Sequence, residues 1–119
     1  MVQSQHRTWY LDIASERVAG GVILTPKGRI SGVTAAKLAE AVSRARTDAP
    51  SVIIDLTGVD YISGDGIAVL QQPATNGTRM ILCGLNDSVR ITLELARVVS
   101  CVIVKENRDA AIELMNADR

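Results

Sequence analysis

Asp55, Asp60 and Asp65 recur at five-residue intervals, with Ser63 between the last two. Clustered carboxylates are the raw material of hard-cation binding and phosphoryl transfer, so chemistry is sought here first. A spacing of five matches no calcium loop, which sets its oxygen ligands at alternate positions. Asp55 at the end of an apolar run, with Lys105 after a later one, superficially suits a phosphoacceptor receiver. A receiver also needs a pair of acidic residues after its first strand to hold Mg²⁺. Asp12 and Glu16 stand apart and flank what reads as a hairpin turn. Ser63 has no base in reach by sequence, because His6 is the only histidine. Gly64-Asp65-Gly66 is too short for a dinucleotide or Walker phosphate loop, and no Gly-Lys-Ser/Thr follows it. Cys83 and Cys101 lie in apolar runs and read as two buried, reduced thiols. Neither has a metal-ligand spacing to any partner. These residues predict no metal, no cofactor and no catalytic set, and the chain is not expected to be an enzyme.

Composition narrows the rest. Lys plus Arg is 13 and Asp plus Glu is 13, so the formal net charge is zero, which argues against a broad nucleic-acid surface. Phe is absent and aromatics are 3%, so base-stacking platforms are not expected. The longest apolar runs, 20–24, 52–54 and 98–104, fall far short of the roughly 20 residues that span a bilayer. Residues 1–7 are polar and no apolar h-region follows, so no signal peptide is read and a cytoplasmic location is expected. With 119 residues, 47% apolar and 22% charged, one globular domain over 1–119 is expected.

The elements that must position the cluster follow from periodicity. Trp9, Leu11 and Ile13 alternate with Tyr10 and Asp12 as a strand, and Ala14 to Arg17 reads as a turn. Gly20 to Thr25 is a second strand closed by Pro26 and Gly28, which gives an antiparallel hairpin. A helix over Thr34 to Arg46 carries Ala35, Leu38, Val42 and Ala45 on one face, with Glu40 and Arg44 spaced as an i,i+4 pair. Ser51 to Leu56 is β-branched without alternation, the mark of a strand buried on both faces. A polar interval runs from Thr57 to Asp65, and Gly66 to Gln72 is a short apolar helix stopped by Pro73. Met80 to Cys83 is a buried strand, and Asn86 or Asp87 caps a helix bearing Val89, Leu93 and Ala96. Cys101 to Val104 is the last strand, and Asn107 caps a helix bearing Ala110, Ala111 and Leu114. The order β-β-α-β-α-β-α-β-α predicts an α/β domain: a hairpin joined to a mostly parallel sheet of about five strands, covered by about four helices. The polar interval then lies at the carboxyl end of a buried strand and opens a helix, where open parallel sheets meet ligands and partners.

From Val52 to Leu70 the chain reads Val-Ile-Ile-Asp-Leu-Thr-Gly-Val-Asp-Tyr-Ile-Ser-Gly-Asp-Gly-Ile-Ala-Val-Leu. This resembles the STAS domain family, in particular the bacterial anti-sigma factor antagonists. Their pattern is an apolar strand ending in Asp-Leu-Ser/Thr-Gly, a hydrophobic pair, Asp-Ser-Ser-Gly or Ser-Ser-Ala-Gly, and an apolar helix. Lys27-Gly-Arg-Ile-Ser31 resembles the family's Gly-Arg-Leu element, and Leu85-Asn-Asp-Ser-Val-Arg with Leu93-Glu-Leu resembles its third helix. The resemblance implies a STAS-like fold and a protein-binding regulator whose partner is an anti-sigma factor, often a serine kinase of the histidine-kinase-like ATPase type. It places the partner at Ser63, Gly64, Asp65, Gly66 and Ile67 and the helix that follows, with Ile67, Ala68 and Leu70 as candidate contacts.

One position departs from the family. Phosphoregulated members carry the acceptor serine where this chain has Gly64, which has no hydroxyl. Three readings stay open: binding without a switch, a fixed charge from Asp65, or phosphate on Ser63 one position early. Ordinary structural roles stand beside them: a first-turn acid for Asp65, an N-cap for Ser63, tight backbone geometry for Gly64 and Gly66. The resemblance also allows a non-catalytic STAS subunit of a larger assembly, such as a stressosome-like scaffold or a lipid-transport ABC complex. The hairpin's edge strand offers unpaired backbone groups through which a homodimer can form.

Overall fold

The computed structural model describes residues 11–71, 78–98 and 102–117. β1 (Leu11–Val18) and β2 (Gly21–Ile30) form the antiparallel hairpin. The stretch Ala14 to Arg17, expected as a turn, is strand; the turn is Ala19-Gly20. β1 is the sheet's edge, and residues 14–17 are exposed on both faces. Without a buried face they carry no alternation to read. β2 runs on past Pro26 and Gly28, contrary to the expected stop.

α1 (Val33–Asp48) buries Ala35, Leu38, Val42 and Ala45 as expected. The Glu40–Arg44 pair forms at 3.5 Å on its exposed side. β3 (Ser51–Asp55) is buried at every position, as its unbroken β-branched run predicts. It lies parallel between β2 and β5 (Arg79–Cys83). β6 (Ile103–Lys105) adds in parallel beyond β5. Cys101, expected in that strand, lies outside the described residues.

A sixth strand, β4 (Gly58–Ile62), lies in the interval expected as polar loop. β2 pairs with β3 through Val22–Leu24 and then with β4 through Lys27–Ile30, both parallel. The register slips between Gly28 and Arg29, which leaves Asp60 as the extra residue. Such a bulge shifts the phase of a strand, so Val59 and Ile62, three apart, are both buried.

The remaining helices are α2 (Gly64–Gln71), α3 (Asp87–Leu95) and α4 (Arg108–Ala117). Asn86 caps α3, its side-chain oxygen accepting from Val89 N at 2.9 Å. Asn107 accepts from Ala110 N at 2.9 Å at the start of α4. Val22, Leu24, Val52, Ile54, Met80 and Leu82 pack beneath α1, α2 and α3. Ile23, Ile53, Ile81 and Cys83 point the other way, onto Ala111 and Met115 of α4. The chain is thus one α/β domain with a mixed sheet covered on both faces, and the carboxyl ends of its parallel strands share one rim.

Candidate functional site

The interval Ser63 to Ile67 sits on that rim, fixed from below by β4. Ser63 N–H donates to Ile30 O at 2.9 Å, so the loop leaves the sheet from the end of β2. Ser63 then opens α2: its carbonyl accepts from Ile67 N at 2.9 Å, and its Oγ stands 3.5 Å from Gly66 N, a long N-cap bond. Gly64 and Asp65 are exposed, Ser63 and Ile67 are half-buried, and Gly66 is buried. The helix faces, unreadable over so short a run, separate plainly. Leu70 and Val69 turn into the core, Ile67 packs against it, and Gly64, Asp65, Ala68 and Gln71 face outward. Ala68 is therefore open to a partner and Leu70 is not. Asp65 lies in the first turn, where the helix dipole favours a carboxylate by about 0.3–1 kcal/mol.

The two glycines do different things. A Cβ on Gly66 would stand 2.6 Å from Ile30 Cγ2 and 2.7 Å from Ile62 Cγ1, so this residue lets α2 close onto the sheet. A Cβ on Gly64 would meet nothing within 4 Å. Tight geometry holds for Gly66 and does not hold for Gly64. Gly64→Ala is expected to raise stability by about 0.4–1 kcal/mol, because it only restricts the unfolded chain. Gly66→Ala is expected to cost about 1–3 kcal/mol through overpacking. Urea unfolding of both variants checks the contrast; equal effects would contradict the two environments.

Sequence reasoning missed the flank of the loop. Arg29 and Tyr61 are partners across the β2–β4 ladder, and the guanidinium carbon lies 4.4 Å from the ring centroid. Tyr61 is 43% exposed, so a large aromatic face stands one strand residue before Ile62 and Ser63. The signal was present in Arg29 of the Gly-Arg element and in Tyr61. Without β4 in view nothing brought them together.

Behind the loop the strand ends hold a polar network. Asp55 is 7% exposed, and both of its oxygens are engaged. Oδ1 accepts from Thr57 N at 3.0 Å and Thr57 Oγ1 at 2.6 Å; Oδ2 accepts from Arg108 Nε at 3.1 Å. Arg108 also donates to Thr25 Oγ1 at 2.6 Å and approaches Glu16 at 3.8 Å. The cation that meets Asp55 is Arg108, at the first position of α4. Burial alone would raise the Asp55 carboxyl. The bonds from Thr57 and Arg108 outweigh it and hold the group below its ordinary value of 3.8. A carboxylate so fully engaged serves as a structural anchor. Among the described residues no three His, Cys, Asp or Glu side chains gather as a metal site.

Cys83 lies fully buried beside this network. Burial, with the Asp55 charge adding to it, pushes the thiol up to about 12. Only the thiolate is nucleophilic. Cys83 is therefore expected to resist iodoacetamide in the native protein at pH 8 and to react on unfolding in urea; peptide mass mapping reads this directly.

Comparison with known proteins agrees with this architecture. The family described as STAS domain matches residues 12–111. No curated protein matches the sequence significantly. The fold is similar to an anti-sigma factor antagonist from Mycobacterium paratuberculosis, with TM-score 0.82 and 20% identity over 90% of this chain and 95% of that one. It is also similar to the Bacillus anti-sigma factor antagonist SpoIIAA in its unphosphorylated form, with TM-score 0.72 and 14% identity over 89% and 97% of the two chains. A third likeness is to the murine Solute Carrier 26 family member A9 anion transporter, with TM-score 0.76 and 15% identity over 98% of this chain but 24% of that one. Among the described residues no helix is long and apolar enough to cross a membrane. The family match spans the hairpin, all six strands and the start of α4, and on that ground the chain belongs to the STAS domain family.

Proposed function

We propose that the chain is an antagonist-type regulator that binds an anti-sigma factor, a serine kinase of the histidine-kinase-like ATPase type, and does so without a phosphoserine switch at position 64. The contact surface is Ser63, Gly64, Asp65, Gly66 and Ile67 together with the outward face of α2, flanked by Tyr61. Membership of the STAS family and the likeness to proteins described as anti-sigma factor antagonists support the reading. The observation that carries it is Gly64: exposed, at the first position of α2, with open space where a side chain would stand. A serine would fit there, so packing does not explain its absence. Asp65 supplies one negative charge beside the helix N-terminus, less than the roughly −1.5 to −2 of a phosphate. Ser63 is engaged as the N-cap, one position early.

The test mixes the protein with anti-sigma kinases encoded beside it, with ATP present. The expected result is a stable complex and no phosphate on Ser63 by mass spectrometry. Phosphate on Ser63 with release of the partner would overturn the switchless reading, and no complex with any such kinase would overturn the antagonist role. Gly64→Ser is expected to fold normally and to gain phosphate on the introduced hydroxyl from the same kinase. A second reading is a non-catalytic subunit of a larger assembly. The murine transporter favours it, since there the same fold makes up about a quarter of a chain. Co-purification of a transporter ATPase instead of a kinase is the result that would select it.

A further inference from the structure

A groove of about 460 Å³ lies between the β1–β2 hairpin and α1, away from the loop at Ser63. Its size is within the range of about 300–1,000 Å³ typical of small-molecule sites. We propose that it binds a linear anionic amphiphile: an alkyl carboxylate or alkyl phosphate.

The floor is apolar except at Ser15, which stands between Ile13 and Arg17 on the same face of β1. Ile13, Val22 and Leu24 rise from the hairpin on the face that α1 covers. On α1 the facing positions are Ala41 and Ala45, whose small side chains leave the space open. The rim is charged with one predominant sign. Arg17, Lys37 and Arg44 line it against the single carboxylate of Glu40, in a chain whose formal net charge is zero. Arg17 stands opposite Val22 in the hairpin ladder, and Arg44 adjoins Ala45, so both residues belong to the hairpin-turn end. Lys37 marks the other end, its Nζ donating to Leu11 O at 2.6 Å. The Glu40–Arg44 pair is exposed on both sides and so competes weakly with an incoming anion.

From Ile13 to Arg17 the floor runs about 13 Å along β1. That length and lining suit a short alkyl chain with its head between two arginines, which grip carboxylate and phosphate in two-pronged fashion. A small hydrophilic anion would leave the apolar floor unused.

The experiment is calorimetric titration of the full chain with decanoate and with decyl phosphate, each below micelle formation, and with decylammonium as the charge-reversed probe. Saturable one-site binding of an anion is expected, weakening with salt, with decylammonium at least roughly tenfold weaker. Preference for decanoate identifies a fatty acid, and preference for decyl phosphate a phosphorylated lipid; either supports the site. The Arg17→Gln, Arg44→Gln double variant, changed only on the surface, is expected to lose about tenfold in affinity. Ala41→Phe fills the groove and is expected to abolish binding at an unchanged urea midpoint. No saturable binding, equal binding of the cation, or indifference to the double variant would overturn the proposal.

Discussion

Arg108→Met is expected to lower the unfolding free energy by about 2–3 kcal/mol at pH 7, and the loss should shrink in acid. Removing one partner of a buried ion pair typically costs about 3–5 kcal/mol, because the other charge is left without compensation. The Arg108 side chain is about one-third exposed, so water screens part of the pair and the lower figure applies. The pH dependence follows from Asp55. Its carboxyl titrates below 3.8 in the folded protein, so its ionised form stabilises the fold fully above that value. That contribution is lost as pH falls through the folded value. In the variant the Arg108 bonds are gone and the folded value rises. The gap between wild type and variant is therefore largest above about pH 5 and closes below pH 4. Urea unfolding between pH 3 and pH 7 measures it. A gap that does not change with pH would mean that Arg108 acts through packing alone. A double-mutant cycle with Asp55→Asn should return a coupling above about 0.5 kcal/mol, as contacting residues do.

The same network explains how the chain holds a defined loop. Thr57, which donates twice to Asp55, is with Leu56 one of the two residues between β3 and β4. Leu56 N donates to Cys83 O at 2.8 Å, and Val59 N to Leu56 O at 3.0 Å. The crossing from β3 to β4 is thus fixed by bonds on both sides before β4 delivers Ser63 to the rim. Arg108 reaches β1 through Glu16, β2 through Thr25 and β3 through Asp55. The loop's position is set by side chains that lie behind it, at the strand ends.

How much of this could be read from the sequence depended on burial. β3 was legible because a strand covered on both faces must be apolar throughout, and Val52, Ile53 and Ile54 say so. α1 was legible because one face of it is buried at helical spacing. The middle of β1 was illegible for the opposite reason: Ser15 and Glu16 face water, and backbone pairing leaves no mark on side-chain type. β4 was hidden by its bulge, which sets Val59 and Ile62 out of strand period. The candidate stretch from Ser63 to Ile67 was singled out by family resemblance and by its place after a buried strand. Arg108 was not found, because its partner Asp55 lies 53 residues away and only the fold brings them together. The roles of Gly64 and Gly66 were not separable either, since the difference lies in Ile30 and Ile62, which crowd one and not the other.

Gly84→Ala is expected to cost about 3–4 kcal/mol, against about 1–3 kcal/mol for Gly32→Ala. Both glycines have positive φ, +72° and +51°, a backbone that L side chains rarely adopt, so an alanine at either is strained by about 1–3 kcal/mol. The surroundings differ. Gly32 has no atom within 4 Å of an added Cβ, so backbone strain is its whole cost. At Gly84 the Cβ would overlap Thr57 Oγ1 and stand 2.8 Å from Asp55 Oδ1. The Thr57 hydroxyl would have to leave its bond to Asp55, so the substitution also disturbs the buried carboxylate. Prior removal of that hydroxyl should therefore relieve part of the cost. In a Thr57→Ala background, Gly84→Ala should lose at least about 1 kcal/mol less than in the wild type, a clear failure of additivity. Chemical denaturation of the four proteins decides it. Full additivity, or equal costs at Gly32 and Gly84, would mean that backbone strain alone sets the effect. The damage should also travel. Two residues on, Asn86 donates to Val59 O at 2.9 Å and caps α3. A shift at Gly84 thus reaches β4 from its other side, and Gly84→Ala should weaken the partner binding proposed for Ser63–Ile67 even at temperatures where the protein remains folded.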